Sequence, residues 1–168
     1  MKLYFLRHGL AVERGTPGFR ADSERPLTPK GEREMKRIAA GIRALDLAPK
    51  AILSSPYARA WRTAEIVAAT LDTLEDLKLS KNLAADADPA ALVDELTTDF
   101  AACESMMLVG HEPYLSALIS LLVSGGLSAG IALRKGGLCK LQIEGAVKPA
   151  RCAKLEWLLT PKQLCQIG

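Results

Sequence analysis

Three short, mainly apolar runs, Lys2–Leu6, Ala51–Leu53 and Ser105–Val109, each stop at a polar turn, and a stretch of helical period follows each of them. Runs of this length read as buried strands. Strands that alternate with helices build a largely parallel sheet with helices packed against it. The helix starts are marked. Thr28-Pro29 supplies an N-cap and a first-position proline ahead of Met35, Ile38, Ala39, Ile42 and Leu45. Ser55-Pro56 opens a second helix to about Leu71, with Ser55 as its cap, and a strand is expected around Leu77–Leu79. Asp88-Pro89 opens a third helix with Leu92, Val93, Leu96 and Phe100 on its apolar side. After Ser105–Val109, the apolar positions Leu115, Leu118, Ile119 and Leu122 form a fourth helix that stops at Gly125-Gly126. The period then becomes two: Cys139, Leu141 and Ile143 alternate with Lys140 and Gln142, and Leu155, Trp157 and Leu159 with Lys154 and Glu156. The chain is expected to end in that antiparallel hairpin. The fold class is α/β, three layers with a mixed, mostly parallel sheet in the middle.

At 168 residues, with no change of composition along its length, residues 1–168 are expected to be one domain. Arg7 interrupts the amino-terminal apolar run far short of a secretory core, so the cytoplasm is the expected compartment. The most apolar stretch, Leu115–Leu133, is broken by Ser116, Ser120, Ser124, Gly125 and Gly126, whereas a membrane span needs about 20 mainly apolar residues. Cys103, Cys139, Cys152 and Cys165 have neither zinc-ligand spacing nor the density of a disulfide framework. A net charge of +3 does not point to nucleic acid, but it is unevenly spread: Met1–Arg62 holds 13 basic and 6 acidic residues, Thr63–Glu112 holds 2 and 11. An anionic ligand suits the first segment, and solvated helix faces account for it equally.

The only two histidines, His8 and His111, each follow an apolar strand and adjoin a glycine. Open α/β sheets bind ligands at the carboxyl ends of their strands, where helix amino termini point outward. Arg59 stands at the equivalent place after the second strand. A helix amino terminus disfavours a cation there by about 0.3–1 kcal/mol, and a bound anion reverses that sign. With Arg7, the set is two imidazoles and two guanidiniums on one sheet edge, which suits a phosphoryl group. Guanidinium forks pair with phosphate oxygens, and imidazole can attack phosphorus in line to give a covalent phosphohistidine. Each residue also has a plain reading: the histidines as strand-end rings bonded to backbone, Arg7 as a surface cation.

Four motifs occur in order: Leu6-Arg7-His8-Gly9; Arg25-Pro26-Leu27-Thr28-Pro29-Lys30-Gly31; Ser54-Ser55-Pro56-Tyr57-Ala58-Arg59-Ala60 with Thr63-Ala64-Glu65; and Val109-Gly110-His111-Glu112-Pro113. On these the chain resembles the histidine phosphatase superfamily, with its phosphoglycerate mutase-like fold. Its short length, the Arg-Pro-Leu-Thr run and the ending Glu156-Trp157-Leu158-Leu159-Thr160-Pro161 are similar to the SixA-type phosphohistidine phosphatases. The resemblance implies His8 as nucleophile, Arg7 and Arg59 as phosphate ligands and His111 as a hydrogen-bond partner of the same group. It implies a metal-independent phosphatase without cofactor, working through phospho-His8 on phosphohistidine in a protein, such as a histidine-phosphotransfer domain of a signalling relay. Phosphate or sulfate would suit the pocket, and neither nucleic acid nor a membrane is an expected partner.

Arg25 and Arg62 are candidates for the substrate rim, and Arg62 also reads as a solvated helix charge. Glu13, Arg14, Arg20, Asp22 and Glu24 lie in the irregular segment before the first helix, where they would select substrates or simply face solvent. Larger members of the superfamily, which work on phosphorylated sugars and glycerates, carry an acidic proton donor and a long insert after the third strand; here that stretch is only about Leu79–Pro89. Asp86 and Asp88 are its nearest acids, Asp88 more simply an N-cap, and the proton donor is unassigned. A short connection without a lid implies an open pocket and an easy leaving group, as imidazole is near its ordinary pKa of ~6.5. The alternatives are a phosphatase of a small phosphorylated metabolite, a mutase, and a non-catalytic module that binds phosphorylated ligands.

Overall fold

A computed structural model describes residues 1–168. Its strands are β1 (Lys2–Arg7), β2 (Ala51–Ser54), β3 (Leu77–Leu79), β4 (Ser105–Gly110), β5 (Leu138–Ile143) and β6 (Ala153–Leu159). Its helices are α1 (Pro29–Ala44), α2 (Ala58–Leu71), α3 (Pro89–Thr98), α4 (Tyr114–Ser124) and α5 (Pro161–Ile167). The sheet order is β3-β2-β4-β1-β5-β6. β1, β2, β3 and β4 run parallel, β5 pairs antiparallel with β1, and β6 closes the expected hairpin on β5.

Right-handed crossovers decide which face each helix covers. The chain moves one way across the sheet from β1 through β2 to β3, then returns to β4 between β2 and β1, so its helices divide between the two faces. Alternate side chains of the buried strands feed two cores. Tyr4, Leu6, Ile52, Met107 and Val109 pack with Met35, Ile38, Ile42, Ala64 and Val67 of α1 and α2. Leu3, Phe5, Leu53, Met106 and Leu108 pack with Leu92, Leu96, Leu115, Leu118 and Leu122 of α3 and α4.

Close packing of α1 depends on two glycines. A Cβ at Gly31 would lie 2.0 Å from the Leu10 carbonyl oxygen, and one at Gly41 2.0 Å from that of Leu164. The first contact draws the start of α1 against the loop that follows β1.

Two local expectations are corrected. Ser55 does not cap α2: that helix starts at Ala58 with Tyr57 in the cap position and no side-chain cap, and Ser55 Oγ accepts from the Tyr57 amide in the turn. The chain also continues past the hairpin into α5, opened by Thr160 and Pro161 with a Thr160–Gln163 capping box. Its Leu164 is fully buried beside α1. The Leu115–Leu133 stretch is α4 plus irregular chain, and no helix is long and apolar enough to cross a membrane.

Candidate active site

The register of three neighbouring strands assembles the site. β1 pairs with β4 through Arg7 opposite Gly110, and β2 with β4 through Ser54 opposite Val109. The ladder continues one step beyond the strands. The His8 amide donates to the Gly110 carbonyl at 3.0 Å, and the Ser55 amide to that of Val109 at 2.9 Å. Residues 8, 55 and 111 therefore leave adjacent strand ends together. The His8 and His111 ring centroids are 5.1 Å apart.

Two hydrogen bonds define the state of His8. Its Nδ1 is 2.7 Å from the carbonyl of Gly9, which can only accept, so Nδ1 carries the proton. Nε2 faces Arg59 Nε at 3.3 Å, and a guanidinium can only donate. The Nε2 lone pair is thus directed into a cationic fork. Thr63 locks this geometry between β1 and α2: its Oγ1 accepts from the Gly9 amide at 3.1 Å and donates to the Arg59 carbonyl at 2.7 Å.

His111 Nε2 lies 2.8 Å from Ser55 Oγ, and its ring stands 4.8 Å, centroid to centroid, from that of Tyr57. The Arg59 guanidinium lies over the same tyrosine ring at 5.1 Å. Arg7 donates through Nη1 to the Leu133 carbonyl at 3.0 Å. Only three buried side-chain polar atoms have no hydrogen-bond partner, and two of them, Arg7 Nε and His111 Nδ1, belong to this group. Buried polar atoms are nearly always satisfied, and an anion between these residues would satisfy both.

The four residues named from the sequence, Arg7, His8, Arg59 and His111, are brought together. Arg25 joins them at one remove, donating to Asp22 Oδ1 through Nε at 3.0 Å and Nη2 at 2.8 Å. Arg62 does not join them: it turns toward α1 and pairs with Glu32 at 2.9 Å and Glu65 at 3.2 Å, so the rim assignment is withdrawn. Asp88 caps α3 through the Ala90 amide at 3.0 Å, while Asp86 reaches the rim and accepts from the Tyr57 hydroxyl at 3.3 Å.

Tyr57 and Thr63 carry no expected role although they lie in the quoted motif, and Ser55 carries only that of a helix cap. Asp22 carried no local signal of its role. The three central side chains lie deep: His8 is 6%, Arg59 3% and His111 1% exposed. A 3-10 turn at Asp22–Glu24 bonds directly to Arg59 and covers it, a contact no insert length reveals.

Burial is the largest influence on both imidazoles. It pushes His8 down to about 3, against the Gly9 hydrogen bond and with the charges of His111, Arg59 and Arg7. His111 is likewise pushed down to about 3, by burial first and Arg59 next. Both rings are neutral at pH 7. No group of three or more His, Cys, Asp and Glu side chains is arranged to hold a metal ion.

A pH dependence of stability follows. Unfolded, each histidine binds a proton near pH 6.5; folded, neither does until about pH 3. The unfolded chain therefore takes up more protons between these values, and stability falls as pH drops through that window. The thermal midpoint should decline steadily from pH 7 to 4, with a shallower slope in His111→Gln. A midpoint constant down to pH 4 would contradict buried neutral rings.

Comparison with known proteins places the chain in a family. The model of the histidine phosphatase superfamily (branch 1) matches residues 3–84, the half that carries Arg7, His8 and Arg59. An uncharacterized protein of Picosynechococcus sp. is 35% identical over 166 residues, 98% of this chain and 99% of its own. The chain belongs to the histidine phosphatase superfamily. Among solved structures of that fold, the protein histidine phosphatase SixA complexed with tungstate superposes with a TM-score of 0.83 at 21% identity, over 98% of this chain and 99% of its own. A protein named as phosphohistidine phosphatase SixA from Agrobacterium tumefaciens gives 0.77 at 25% identity, over 95% and 97%. The alpha-ribazole phosphatase of Shigella flexneri gives 0.72 at 16% identity, over 96% and 97%. Each superposition covers nearly the whole chain, so the fold is shared, and the superfamily assignment supports a phosphatase.

Proposed function

We propose that this protein is a metal-independent phosphohistidine phosphatase that acts on a protein, through a covalent phospho-His8 intermediate. The observation that carries the reading is the neutral His8 Nε2, its lone pair facing Arg59, beside the unpartnered Arg7 Nε and His111 Nδ1. Nε2 attacks phosphorus as the substrate's P–N bond breaks, and the substrate ring, already protonated on its other nitrogen, takes the bonding pair and leaves as neutral imidazole. Water then attacks phospho-His8, releasing inorganic phosphate and returning the neutral ring. Arg7 and Arg59 neutralise the equatorial oxygens, and His111, backed by Ser55, holds one of them.

The substrate class rests on the state of the nearby acids. Asp22 is ion-paired with arginines, Asp88 caps a helix and Asp86 is bonded to Tyr57 at the rim. A leaving imidazole, with an ordinary pKa of ~6.5, departs without a strong acid beside it. A histidine-phosphotransfer domain of a signalling relay presents such a group. The place of Asp86 at the rim supports a second reading, a small phosphomonoester whose alkoxide Asp86 would protonate once protonated itself and released from Tyr57.

Release of phosphate from a phosphorylated histidine-phosphotransfer domain, set against a panel of phosphomonoesters, tests the proposal. The phosphohistidine protein should be turned over with the higher kcat/KM, unaffected by EDTA. A metabolite that outruns it by an order of magnitude moves the assignment to the second reading. Loss of turnover in EDTA, restored by zinc or magnesium, removes the covalent mechanism.

A further inference from the structure

Arg59 is held by its far end. Its Nη1 donates to the Asp22 carbonyl at 2.6 Å and its Nη2 to Asp22 Oδ2 at 2.8 Å, while Nε is left facing His8 Nε2. The other carboxylate oxygen of Asp22 takes Arg25 at 2.8 Å and Arg14 at 3.0 Å. One carboxylate thus gathers three guanidiniums. Arg14 is 82% exposed and adds little, whereas Arg59 is buried and Arg25 nearly so. We propose that Asp22 is a positioning residue, which fixes the Arg59 guanidinium by its terminal nitrogens so that its Nε edge meets the phosphoryl group at His8. The inference rests on the phosphatase reading and deepens it.

The physics favours positioning for two reasons. Arginine has several rotatable bonds, and a fork free to rotate loses much of its value when charge develops on the phosphoryl oxygens. A backbone carbonyl and a carboxylate from one residue fix both the plane and the direction of the fork. Like charges on Arg59 and Arg25 also repel, and the shared anion holds them close. Burial favours the protonated carboxyl, but hydrogen bonds from Arg25, Arg14 and Arg59 outweigh it and hold Asp22 well below the usual carboxylate range. The carboxylate stays charged throughout the working pH range.

A double-mutant cycle on the full chain tests this, using wild type, Asp22→Asn, Arg59→Ala and the double variant, with p-nitrophenyl phosphate as substrate. Asparagine has one acceptor oxygen in place of two and cannot hold Arg59 and Arg25 together. Asp22→Asn should lower kcat by about 10- to 100-fold, with Asp22→Glu recovering part of the loss. In the Arg59→Ala background the same change should alter kcat by no more than about twofold, since its effect runs through Arg59. The cycle is read again in vanadate affinity, which requires no turnover, and thermal midpoints of all variants monitor folding.

An equal loss in both backgrounds overturns the proposal and makes Asp22 a brace for the 12–25 segment alone. Faster turnover and tighter vanadate binding in Asp22→Asn overturn it also, by showing that the carboxylate competes with the phosphoryl group for the fork. A wild type that hydrolyses no phosphoryl compound and binds no vanadate overturns the phosphatase reading itself, and this inference with it.

Discussion

Replacing His8 with alanine should lower turnover by roughly 10⁶-fold, the scale expected when a covalent nucleophile is removed. His8 Nε2 is the only unprotonated ring nitrogen directed at the arginine fork, because Gly9 holds the proton on Nδ1 and Arg59 Nε can only donate to Nε2. Binding should behave differently. Arg7, Arg59 and His111 remain, so calorimetric phosphate affinity should weaken by no more than about tenfold, the worth of one hydrogen bond. Acid-labile phosphate trapped on the wild type during turnover, and absent from His8→Ala, would place the covalent bond at this ring. Near-wild-type activity in His8→Ala would remove the covalent mechanism.

Arg59→Ala should cost roughly 10²- to 10³-fold in kcat, as for removal of a preorganised donor aimed at developing charge. Arg59→Lys should recover less than about tenfold of that, although it keeps the charge. The reason is geometric. Arg59 engages His8 through Nε and Asp22 through Nη1 and Nη2, and a single ammonium cannot span those partners. A lysine variant with wild-type kcat would show that charge alone suffices. Both variants should keep their thermal midpoints within a few degrees, because Asp22 retains Arg25 and Arg14.

Much of the site was legible because it is anchored to strand ends. Leu3–Leu6 and Met106–Val109 are buried on both faces, and the residue after each strand projects at the same edge of the sheet. His8 and His111 could thus be placed from hydrophobic pattern alone. Arg59 was found by a local contradiction, a cation near a helix amino terminus. The C-terminal helix has a local signal too, in Thr160-Pro161 with Gln163, but the two-residue period of the hairpin runs up to it and masks its start.

What escaped the sequence depends on contacts between distant segments. Arg62 follows Arg59 by less than one helical turn, and spacing alone cannot say that its guanidinium turns to Glu32 on α1. Ser55 stands where a cap would, yet its hydroxyl meets His111, 56 residues away. Asp22 sits in an irregular segment with no period, 37 residues from the arginine it holds.

The sequence by itself determined the order of strands and helices, and with it which sheet edge carries the two imidazoles and Arg59, because periodicity and capping are local. Tertiary structure alone decided which carboxylate meets which guanidinium, how deeply His8 is covered and which nitrogen carries its proton. Ion pairs and burial arise where segments far apart in the chain come to lie against one another, and no local pattern records them.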